Sequence, residues 1–341
     1  MCKKIIILIV LLIGLVLLNG CGDKITKEEY DEIIAELEAL KGLNRTFPAD
    51  GYFTAFQPSV SSGAPEIITV SVRIKNDAIV EFFIDTLQST KIVEGETVSF
   101  KFNWKTKKQL GYEYYMFPQS GKMVNGELDV EGYKQWLSEN NKKEWFEQAN
   151  LLEQFMLREG IDKVTIDENN KATNVSGVTI AVKTYVDLAK KAVEMAKAGK
   201  LLAVSGYGSG DIVWATADIN RFKTISNYKL DTLQGKYQNG TFVYNEKSKQ
   251  ELGYEYYMFP QSGKKVEGVL DVEGYKEWLR ANTKKEWFEQ ADLICHEFAK
   301  NGSYNFVIKS DGKIDNALVS GVTIGDNNYL KVLNQLLANA K

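Results

Sequence analysis

The chain has 341 residues, with 42 Lys and Arg against 45 Asp and Glu, and its formal net charge is −3. Acidic and basic residues are interspersed, so the chain lacks the basic footprint of a nucleic-acid-binding protein. Its single histidine, His296, excludes a histidine-based triad or a multi-histidine metal site from the first half and disfavours either in the second.

The N-terminus has the pattern of a lipoprotein signal peptide. A short positive region, Cys2-Lys3-Lys4, precedes an uncharged run over residues 5–18. That run is shorter than the roughly 20 residues of a membrane-spanning helix and fits a signal-peptide core. It ends at Leu18-Asn19-Gly20-Cys21, which resembles the lipobox of bacterial lipoproteins. We therefore predict that residues 1–20 are removed and that Cys21 carries lipid, with an uncleaved anchor or a plain secretion signal as the alternative.

A lipid on Cys21 would hold the protein at the cell membrane, outside the cytoplasm. It also accounts for the cysteines, because Cys2 leaves with the signal peptide and only Cys295 remains free. No disulfide can then form within one mature chain. Cys295 lies in an apolar helical pattern, so we interpret it as a small buried hydrophobic residue rather than as a nucleophile.

Residues 21–45 are predicted to form a helical spacer between the lipid and the first domain. Thr26-Lys27-Glu28-Glu29 has the spacing of a capping box. Apolar residues then recur on one helical face until Gly42. A helix that packs against a partner is the alternative.

The rest of the chain contains the same blocks twice. LGYEYYMFPQSGK spans residues 110–122 and returns at residues 252–264, and LDVEGYK, KKEWFEQA and VSGVTI also recur. The period of roughly 145 residues is too long for a solenoid repeat and fits two tandem domains. We therefore predict one domain over residues 46–198 and a second over residues 199–341.

Each copy is predicted to open with a β-hairpin. Residues 68–75 alternate between apolar and polar, Asn76-Asp77 supplies a turn, and residues 79–86 run back. The second hairpin covers residues 212–220 and 225–231. The glycine-rich run at residues 205–210 resembles a phosphate loop, but no helix or Gly-Lys-Thr follows it. We therefore interpret it as the entry to the hairpin.

The later blocks predict helices, because their apolar residues recur at three-and-four spacing. The predicted helices begin at Asp129 and Asp271, cover Lys142–Glu159 and Lys284–Lys300, and close the copies over Tyr185–Ala198 and Tyr329–Ala340. VSGVTI, at residues 175–180 and 319–324, is predicted to be a buried strand entered through a glycine turn. The fold class is therefore α+β, with two tandem duplicated domains that each pack an antiparallel sheet against helices.

The repeated aromatic segment has two interpretations. Its large side chains either form a wall for a flat ligand or belong to the core. Aromatic residues bury much apolar surface, so the core is favoured. The residues concerned are Tyr112, Tyr114, Tyr115, Met116 and Phe117.

The order of elements resembles the FMN-binding domain family. That family includes periplasmic flavin subunits of sodium-pumping and ferredoxin-linked electron-transport complexes, and Gram-positive lipoproteins of extracellular electron transfer. The resemblance covers roughly residues 50–198 and 199–341. It rests on the Ser-Gly-x-Thr segment, the opening hairpin with Asp50-Gly51-Tyr52, the Lys-x-x-Leu-Gly-Tyr-x-Tyr-x-Met pattern from Lys107 and Lys249, and the Lys-Glu-Trp-Phe-Glu-Gln helix.

The resemblance implies FMN joined to a threonine through a phosphoester by a flavin transferase. By position the acceptors are Thr179, behind Ser176 and Gly177, and Thr323, behind Ser320 and Gly321. A glycine beside the hydroxyl lets backbone N–H groups approach a phosphate. The motif also has an Asp and an Ala, and this chain differs at both. The differing residues are Thr173 and Ala317 for the Asp, and Val178 and Val322 for the Ala.

Two functions follow from these observations. One is a lipid-anchored surface protein that carries FMN and passes electrons from a membrane donor, which the intact Ser-Gly-x-Thr favours. The other is a ligand- or protein-binding lipoprotein without redox activity, which the lost Asp favours. We expect neither a catalytic acid–base constellation nor a metal site. If flavin is covalent, Thr179 ranks ahead of Thr323, because Thr173 keeps a hydroxyl that can hydrogen-bond and Ala317 does not.

Overall fold

The structure is a computed structural model. It describes residues 26–27, 45–303, 306–315 and 319–340. The chain divides into two compact units, Met1–Arg45 and Thr46–Lys341, and the second unit contains both repeated copies. The predicted signal peptide, Cys21 and the predicted spacer helix beyond Lys27 lie outside the described residues.

The first copy contains a four-stranded antiparallel sheet in the order β1-β2-β3-β4, followed by a small two-stranded ribbon and four helices. The strands are β1 (Gly51–Ser61), β2 (Ala64–Lys75), β3 (Ala78–Glu94), β4 (Thr97–Phe102), β5 (Met123–Val124) and β6 (Glu127–Leu128). The helices are α1 (Lys107–Leu110), α2 (Val130–Glu139), α3 (Trp145–Glu159) and α4 (Lys183–Lys197). Short 3-10 turns lie at Gly111–Tyr114, Pro118–Ser120 and Ile161–Lys163.

Alternation of apolar and polar residues explains the first sheet. Val70, Val72 and Ile74 of β2 are buried in the core, and the residues between them lie on the opposite face. Asn76 and Asp77 form the β2–β3 turn with φ values of 51° and 63°, a backbone region that Asn and Asp tolerate better than most residues. The hairpin predicted from the sequence is confirmed.

Helices α3 and α4 pack on the apolar face of that sheet. Leu152 and Met156 of α3 and Val186 of α4 share one hydrophobic core with Val70 and Val72. Burial of each large aliphatic side chain stabilises the fold by about 1.5–3 kcal/mol.

Side-chain caps determine where these helices begin. Asp129 precedes α2 and accepts a hydrogen bond from Gly132 N at 2.9 Å. Glu144 precedes α3, and Glu147 reaches back to its backbone N–H at 2.7 Å to complete a capping box. The predicted helices are confirmed, although α3 begins at Trp145 rather than at Lys142.

The second copy repeats this order of elements. Its strands are β7 (Lys200–Tyr207), β8 (Asp211–Ile219), β9 (Ile225–Leu233), β10 (Gly235–Gln238), β11 (Thr241–Tyr244), β12 (Lys265–Val266) and β13 (Val269–Leu270). Its helices are α5 (Lys249–Leu252), α6 (Val272–Ala281), α7 (Trp287–Asn301) and α8 (Tyr329–Asn339). Its 3-10 turns lie at Gly253–Tyr256 and Pro260–Ser262.

The two copies differ at the end of the sheet. Strand β4 extends the first sheet to four strands, whereas β7-β8-β9 form a three-stranded sheet and β10-β11 a separate ribbon. Gly208 and Ser209 form the turn between β7 and β8, so the glycine-rich run closes a hairpin with the unpredicted strand β7 and also leads into the predicted β8–β9 hairpin. Antiparallel sheets packed with helices occur in both copies, which confirms the α+β class.

The two copies contact each other closely. Phe242 N donates to Gly63 O at 3.0 Å, and Phe100 N donates to Ser209 Oγ at 2.9 Å. Residues 46–198 and 199–341 thus lie within a single compact unit, and the predicted boundary falls between α4 and β7. Their status as separate domains stays a prediction.

Candidate functional site

The Ser-Gly-Val-Thr segments are exposed turns, and the strand predicted for VSGVTI is wrong. Gly177 and Gly321 have φ values of 79° and 87°, which favour glycine, and the chain turns at both positions. Val175 and Val178 are buried on either side of the first turn, which produced the apolar pattern of a strand. The backbone N–H groups that follow bind a side chain instead of a neighbouring strand.

That side chain is Gln148, which is 1% exposed on α3. Its Oε1 accepts hydrogen bonds from Thr179 N at 2.7 Å, Thr179 Oγ1 at 3.1 Å and Ile180 N at 3.2 Å. Its Nε2 donates to Lys143 O at 2.8 Å. The glutamine therefore ties the Ser-Gly-Val-Thr segment to the start of α3.

The second copy repeats this arrangement with Gln290. Its Oε1 accepts from Thr323 N at 2.7 Å and from Thr323 Oγ1 and Ile324 N, each at 3.2 Å. Its Nε2 donates to Lys285 O at 2.8 Å. Sequence reasoning assigned no role to either glutamine, although both stand at the same place in the repeated KKEWFEQA block.

The residues predicted to bind the cofactor lie together on the surface of each copy. The exposed residues are Ser176, Gly177 and Thr179 in the first copy and Ser320, Gly321 and Thr323 in the second. Lysine stems cross both glycines, since a Cβ would lie 3.0 Å from Lys143 Cε at Gly177 and 2.9 Å from Lys285 Cε at Gly321. Any side chain at either glycine would displace that lysine.

A basic cavity of about 460 Å³ adjoins the segment of the second copy. Ser320 and Gly321 line it, together with Tyr254 and Glu289. Its cationic residues are Lys276, Arg280, Lys284 and Lys285. Such a set of cations suits a phosphate or another anion, and Arg280 can offer two parallel N–H donors.

The tyrosine and the carboxylate of this cavity interact. Tyr254 Oη donates to Glu289 Oε1 at 3.4 Å, and Lys276 Nζ lies 5.0 Å from the centre of the tyrosine ring. Desolvation, with a further contribution from Glu289, raises the pKa of Tyr254. The hydroxyl therefore stays protonated and able to donate at neutral pH.

The first copy has one cation fewer at the equivalent positions. The repeated blocks place Lys134, Ser138, Lys142 and Lys143 where the second copy has Lys276, Arg280, Lys284 and Lys285. Ser138 thus stands in place of Arg280. The two copies have the same backbone arrangement but differ in the charge available to an anion.

Thr173 was the basis for ranking Thr179 first, but its hydroxyl bonds to Thr165 rather than to the Ser-Gly-Val-Thr segment. Its Oγ1 is 2.5 Å from Thr165 Oγ1, and it also donates to Thr165 O at 3.3 Å. Its counterpart Ala317 lies outside the described residues. The Thr173 hydroxyl is therefore already used within its own turn.

The repeated aromatic segment packs against the helices that follow it, edge to face in three ring pairs and tilted in the pair of Phe117 with Trp136. Its contacts are Tyr112 with Phe146 at 5.1 Å, Tyr114 with Trp145 at 6.4 Å, Tyr115 with Tyr133 at 4.9 Å and Phe117 with Trp136 at 5.9 Å between ring centroids. Edge-to-face pairs are a favourable packing arrangement for aromatic rings. Each of the five predicted side chains is half-buried, so these contacts favour packing against the fold over a flat ligand wall but do not place the segment in the fully buried core.

A buried carboxylate anchors the backbone of this segment in both copies. Glu144 Oε2 accepts from Tyr133 Oη at 2.5 Å and from Met116 N at 3.0 Å, and Tyr133 Oη accepts from Phe117 N at 3.2 Å. Glu286 and Tyr275 make the equivalent bonds in the second copy. The segment is thus fixed by hydrogen bonds as well as by ring packing.

The lysine that opens each repeated pattern is largely shielded from solvent, since Lys249 is 6% exposed and the Lys107 side chain is 11% exposed. Lys107 Nζ lies 5.2 Å from the ring of Tyr114, 5.5 Å from that of Trp145 and 3.9 Å from Glu66 Oε2. Lys249 has the same two aromatic neighbours in the second copy, Tyr256 and Trp287. Burial lowers the pKa of both lysines, and nearby carboxylates oppose that shift. Sequence reasoning missed these lysines as buried residues.

Other classes of site find little support in the described part of the chain. It contains no group of three or more His, Cys, Asp or Glu placed to hold a metal ion. Cys295 is buried as predicted, and burial raises the pKa of its thiol to about 12. None of the described helices combines the length and hydropathy of a membrane span.

Comparisons with known proteins give little further information. No protein-family model and no curated protein matches the chain. The chain is similar to a Clostridium thermocellum protein whose solution NMR structure was determined by the Northeast Structural Genomics Consortium. The identity is 22%, covering 42% of this chain and 89% of that one, with a TM-score of 0.24. At that TM-score the likeness supports no conclusion about fold or function.

Proposed function

We propose that the chain is a lipid-anchored, extracytoplasmic protein that holds FMN with its phosphate in the basic cavity of the second copy. The observation that carries this proposal is the convergence of Arg280, Lys284 and Lys285 on Ser320 and Gly321. Ser320 and Gly321, which the family resemblance assigns to cofactor binding, thus lie next to cations that can bind a phosphate.

Charge supports a phosphate at this place. A phosphate monoester carries about 1.5 to 2 negative charges at neutral pH. Arg280 binds it in two-pronged fashion, and the two lysines act as point charges. Glu289 is the opposing charge in the cavity, and its contact with Tyr254 Oη directs it toward that donor.

Thr323 does not itself line the basic cavity but follows Gly321 by two residues, so a phosphoester there would place the phosphate near the same cations. Its side chain is exposed, so a transferase can reach the hydroxyl. Esterification removes the hydrogen that Oγ1 donates to Gln290, but Gln290 Oε1 keeps its bonds from Thr323 N and Ile324 N. The loss of one exposed hydrogen bond costs about 0.5–1.5 kcal/mol and leaves the turn in place.

The bound flavin would supply the redox chemistry, whereas this chain binds, orients and shields it. A membrane-bound electron donor would be its partner, since lipid on Cys21 would keep both at the same surface. We expect the second copy to load before the first, because Arg280 is replaced by Ser138 there. This order is the reverse of the ranking based on Thr173.

Binding without redox activity is the second candidate function. Gln148 and Gln290 already occupy the backbone N–H groups that would otherwise bind a phosphate. In this alternative the Ser-Gly-Val-Thr turn is a structural feature of an inherited fold. The two functions differ in whether the phosphate of FMN contributes to binding.

Titration of the lipid-free chain with FMN and with riboflavin, which lacks the phosphate, distinguishes the two candidate functions. We expect FMN to bind at least about tenfold more tightly, because charge-assisted hydrogen bonds to the phosphate contribute about 1.5–3 kcal/mol. Arg280→Ser should remove most of this preference, and Ser138→Arg should create a second site. Equal affinity for FMN and riboflavin, or no binding of either, would support the second candidate instead.

A further inference from the structure

A larger cavity, the inter-copy groove, lies between the two copies and has a volume of about 710 Å³. Tyr52, Thr54, Thr69 and Ser71 form its floor on the face of the first sheet that points away from the core, and β7 and α8 of the second copy form the opposite wall. Pockets for small ligands have volumes of about 300–1,000 Å³. The inter-copy groove therefore has the size of a ligand site and is distinct from the basic cavity.

Most polar side chains of the groove are neutral. They include Thr54, Thr69, Ser71, Asn103, Gln109 and Asn339. Several are fixed by bonds to one another or to the backbone. Thr54 Oγ1 and Ser71 Oγ are 2.8 Å apart, and Asn339 Nδ2 donates to Leu202 O at 3.0 Å. Each hydroxyl or amide keeps further hydrogen-bonding capacity for a ligand.

Two of the three charged groups of the groove, Asp85 and Lys331, are engaged in hydrogen bonds within the protein, and the third, Glu81, lies 3.7 Å from Arg73 with its side chain 41% exposed. Asp85 Oδ1 accepts from Thr86 N at 2.8 Å and from Lys108 N at 3.1 Å. Lys331 Nζ donates to Ser205 Oγ at 3.0 Å. Burial raises the pKa of Asp85, which further disfavours a free negative charge there. Apart from the half-exposed Glu81, the groove thus offers mainly neutral donors and acceptors.

One large aromatic side chain of the groove has no role in the fold. Trp104 lines the groove and is 94% exposed. The same loop of the second copy has Glu246 at this position. Both loops continue into the same capping box, at Thr106 in one copy and at Ser248 in the other. The loop therefore folds without tryptophan, and the exposed ring beside the groove is free to stack on a ligand.

We propose that the inter-copy groove binds a short, uncharged oligosaccharide. Trp104 stacks on the apolar face of one sugar ring, and the hydroxyl and amide side chains of the floor hydrogen-bond to sugar hydroxyls. Neutral polar groups around an aromatic platform match a ligand that has many hydroxyls and no charge. This site belongs to the protein whether or not flavin is bound.

Isothermal titration of the full mature chain with maltotriose, cellotriose and N-acetylchitotriose tests the proposal. We expect at least one of the three to bind with a single site per chain. Trp104→Glu, which copies the residue of the second copy, should weaken that binding about ten- to hundredfold, as expected when a large aromatic anchor is lost. Trp104→Phe should retain most of it, and Glu246→Ala should leave it unchanged.

Several outcomes would overturn the proposal. One is the absence of binding by all three sugars up to about 10 mM, a concentration that would reveal even weak affinity. The others are equal binding by the Trp104→Glu chain and tighter binding of trialanine than of any sugar. Circular dichroism verifies that the variants are folded. Trp104→Phe with wild-type circular dichroism but no sugar affinity would also count against a stacking role.

Discussion

Gln148 and Gln290 are the side chains on which the position of the Ser-Gly-Val-Thr turns depends. Each bonds two backbone N–H groups and one hydroxyl with a single carbonyl oxygen. Both threonines could be identified from the sequence because a motif marks them. The glutamines could not, because their partners lie 31 to 34 positions away along the chain.

Gln148→Ala should destabilise the protein by about 1–3 kcal/mol, because it leaves the N–H groups of Thr179 and Ile180 without their acceptor. Urea unfolding followed by circular dichroism measures this change. Gln135→Ala, at an exposed position of α2, is the matched control and should stay within about 0.5 kcal/mol of wild type. Equal stability of the two variants would contradict the anchoring role.

The partly buried Lys107 leads to a prediction about how the stability of the protein depends on pH. Burial lowers its pKa below the ordinary value of 10.5, so within that window the unfolded chain binds a proton that the folded chain has released. The contribution of this site to stability must then rise with pH, by at most about 1.4 kcal/mol per pH unit. Lys107→Met removes the dependence.

Urea unfolding from about pH 8 upward toward 10.5 compares the two proteins. The free energy of unfolding of wild type minus that of Lys107→Met should increase as the pH rises. Lys105→Met, at a half-exposed lysine paired with Glu113, is the matched control substitution. A constant or falling difference for Lys107→Met would show that the lysine is not desolvated in the folded protein.

At the scale of secondary-structure elements, local sequence patterns predicted an element correctly where its structural partner was near in sequence. The first hairpin was predictable because alternation in β2 and the Asn76-Asp77 turn are local signals. VSGVTI failed because its buried Val175 and Val178 imitate a strand, while the partner of its backbone is a glutamine on α3. Helix α3 begins at Trp145 because Glu144 and Glu147 form a capping box, and both residues can be read from the sequence.

The cap of α3 should contribute more than the cap of α2. Glu144 is buried and also bonds Tyr133 Oη and Met116 N, whereas Asp129 lies at the surface. Glu144→Ala should therefore cost about 3 kcal/mol, from the lost cap and the unsatisfied buried donors. Asp129→Ala should cost about 1 kcal/mol. Thermal and urea unfolding of both variants measures the two losses of stability. A larger loss for Asp129→Ala than for Glu144→Ala would contradict this prediction.

At the scale of the whole molecule, duplication was readable from the sequence but the contact between the copies was not. The bonds from Phe242 to Gly63 and from Phe100 to Ser209 join residues that no repeated block connects. The inter-copy groove depends on those contacts, as it is lined by both copies. For the same reason the exposed Trp104 gave no functional signal in the sequence.

The lipid anchor is a prediction about the whole protein in its cell. Cys21→Ala should leave the precursor uncleaved or release the protein from the membrane, because the lipid attachment site is lost. Membrane fractionation followed by immunoblotting and N-terminal analysis measures this. Processed protein that remains in the membrane fraction would contradict the predicted anchor.

The central proposal is that the second copy holds FMN beside Ser320 and Thr323. Its most direct test is co-expression of the full chain with a flavin transferase, followed by absorption spectroscopy and peptide mass mapping. We expect a yellow protein in which the peptide that contains Thr323 carries the mass of FMN more often than the peptide that contains Thr179. A colourless protein with both peptides unmodified, or flavin on Thr179 alone, would contradict the account.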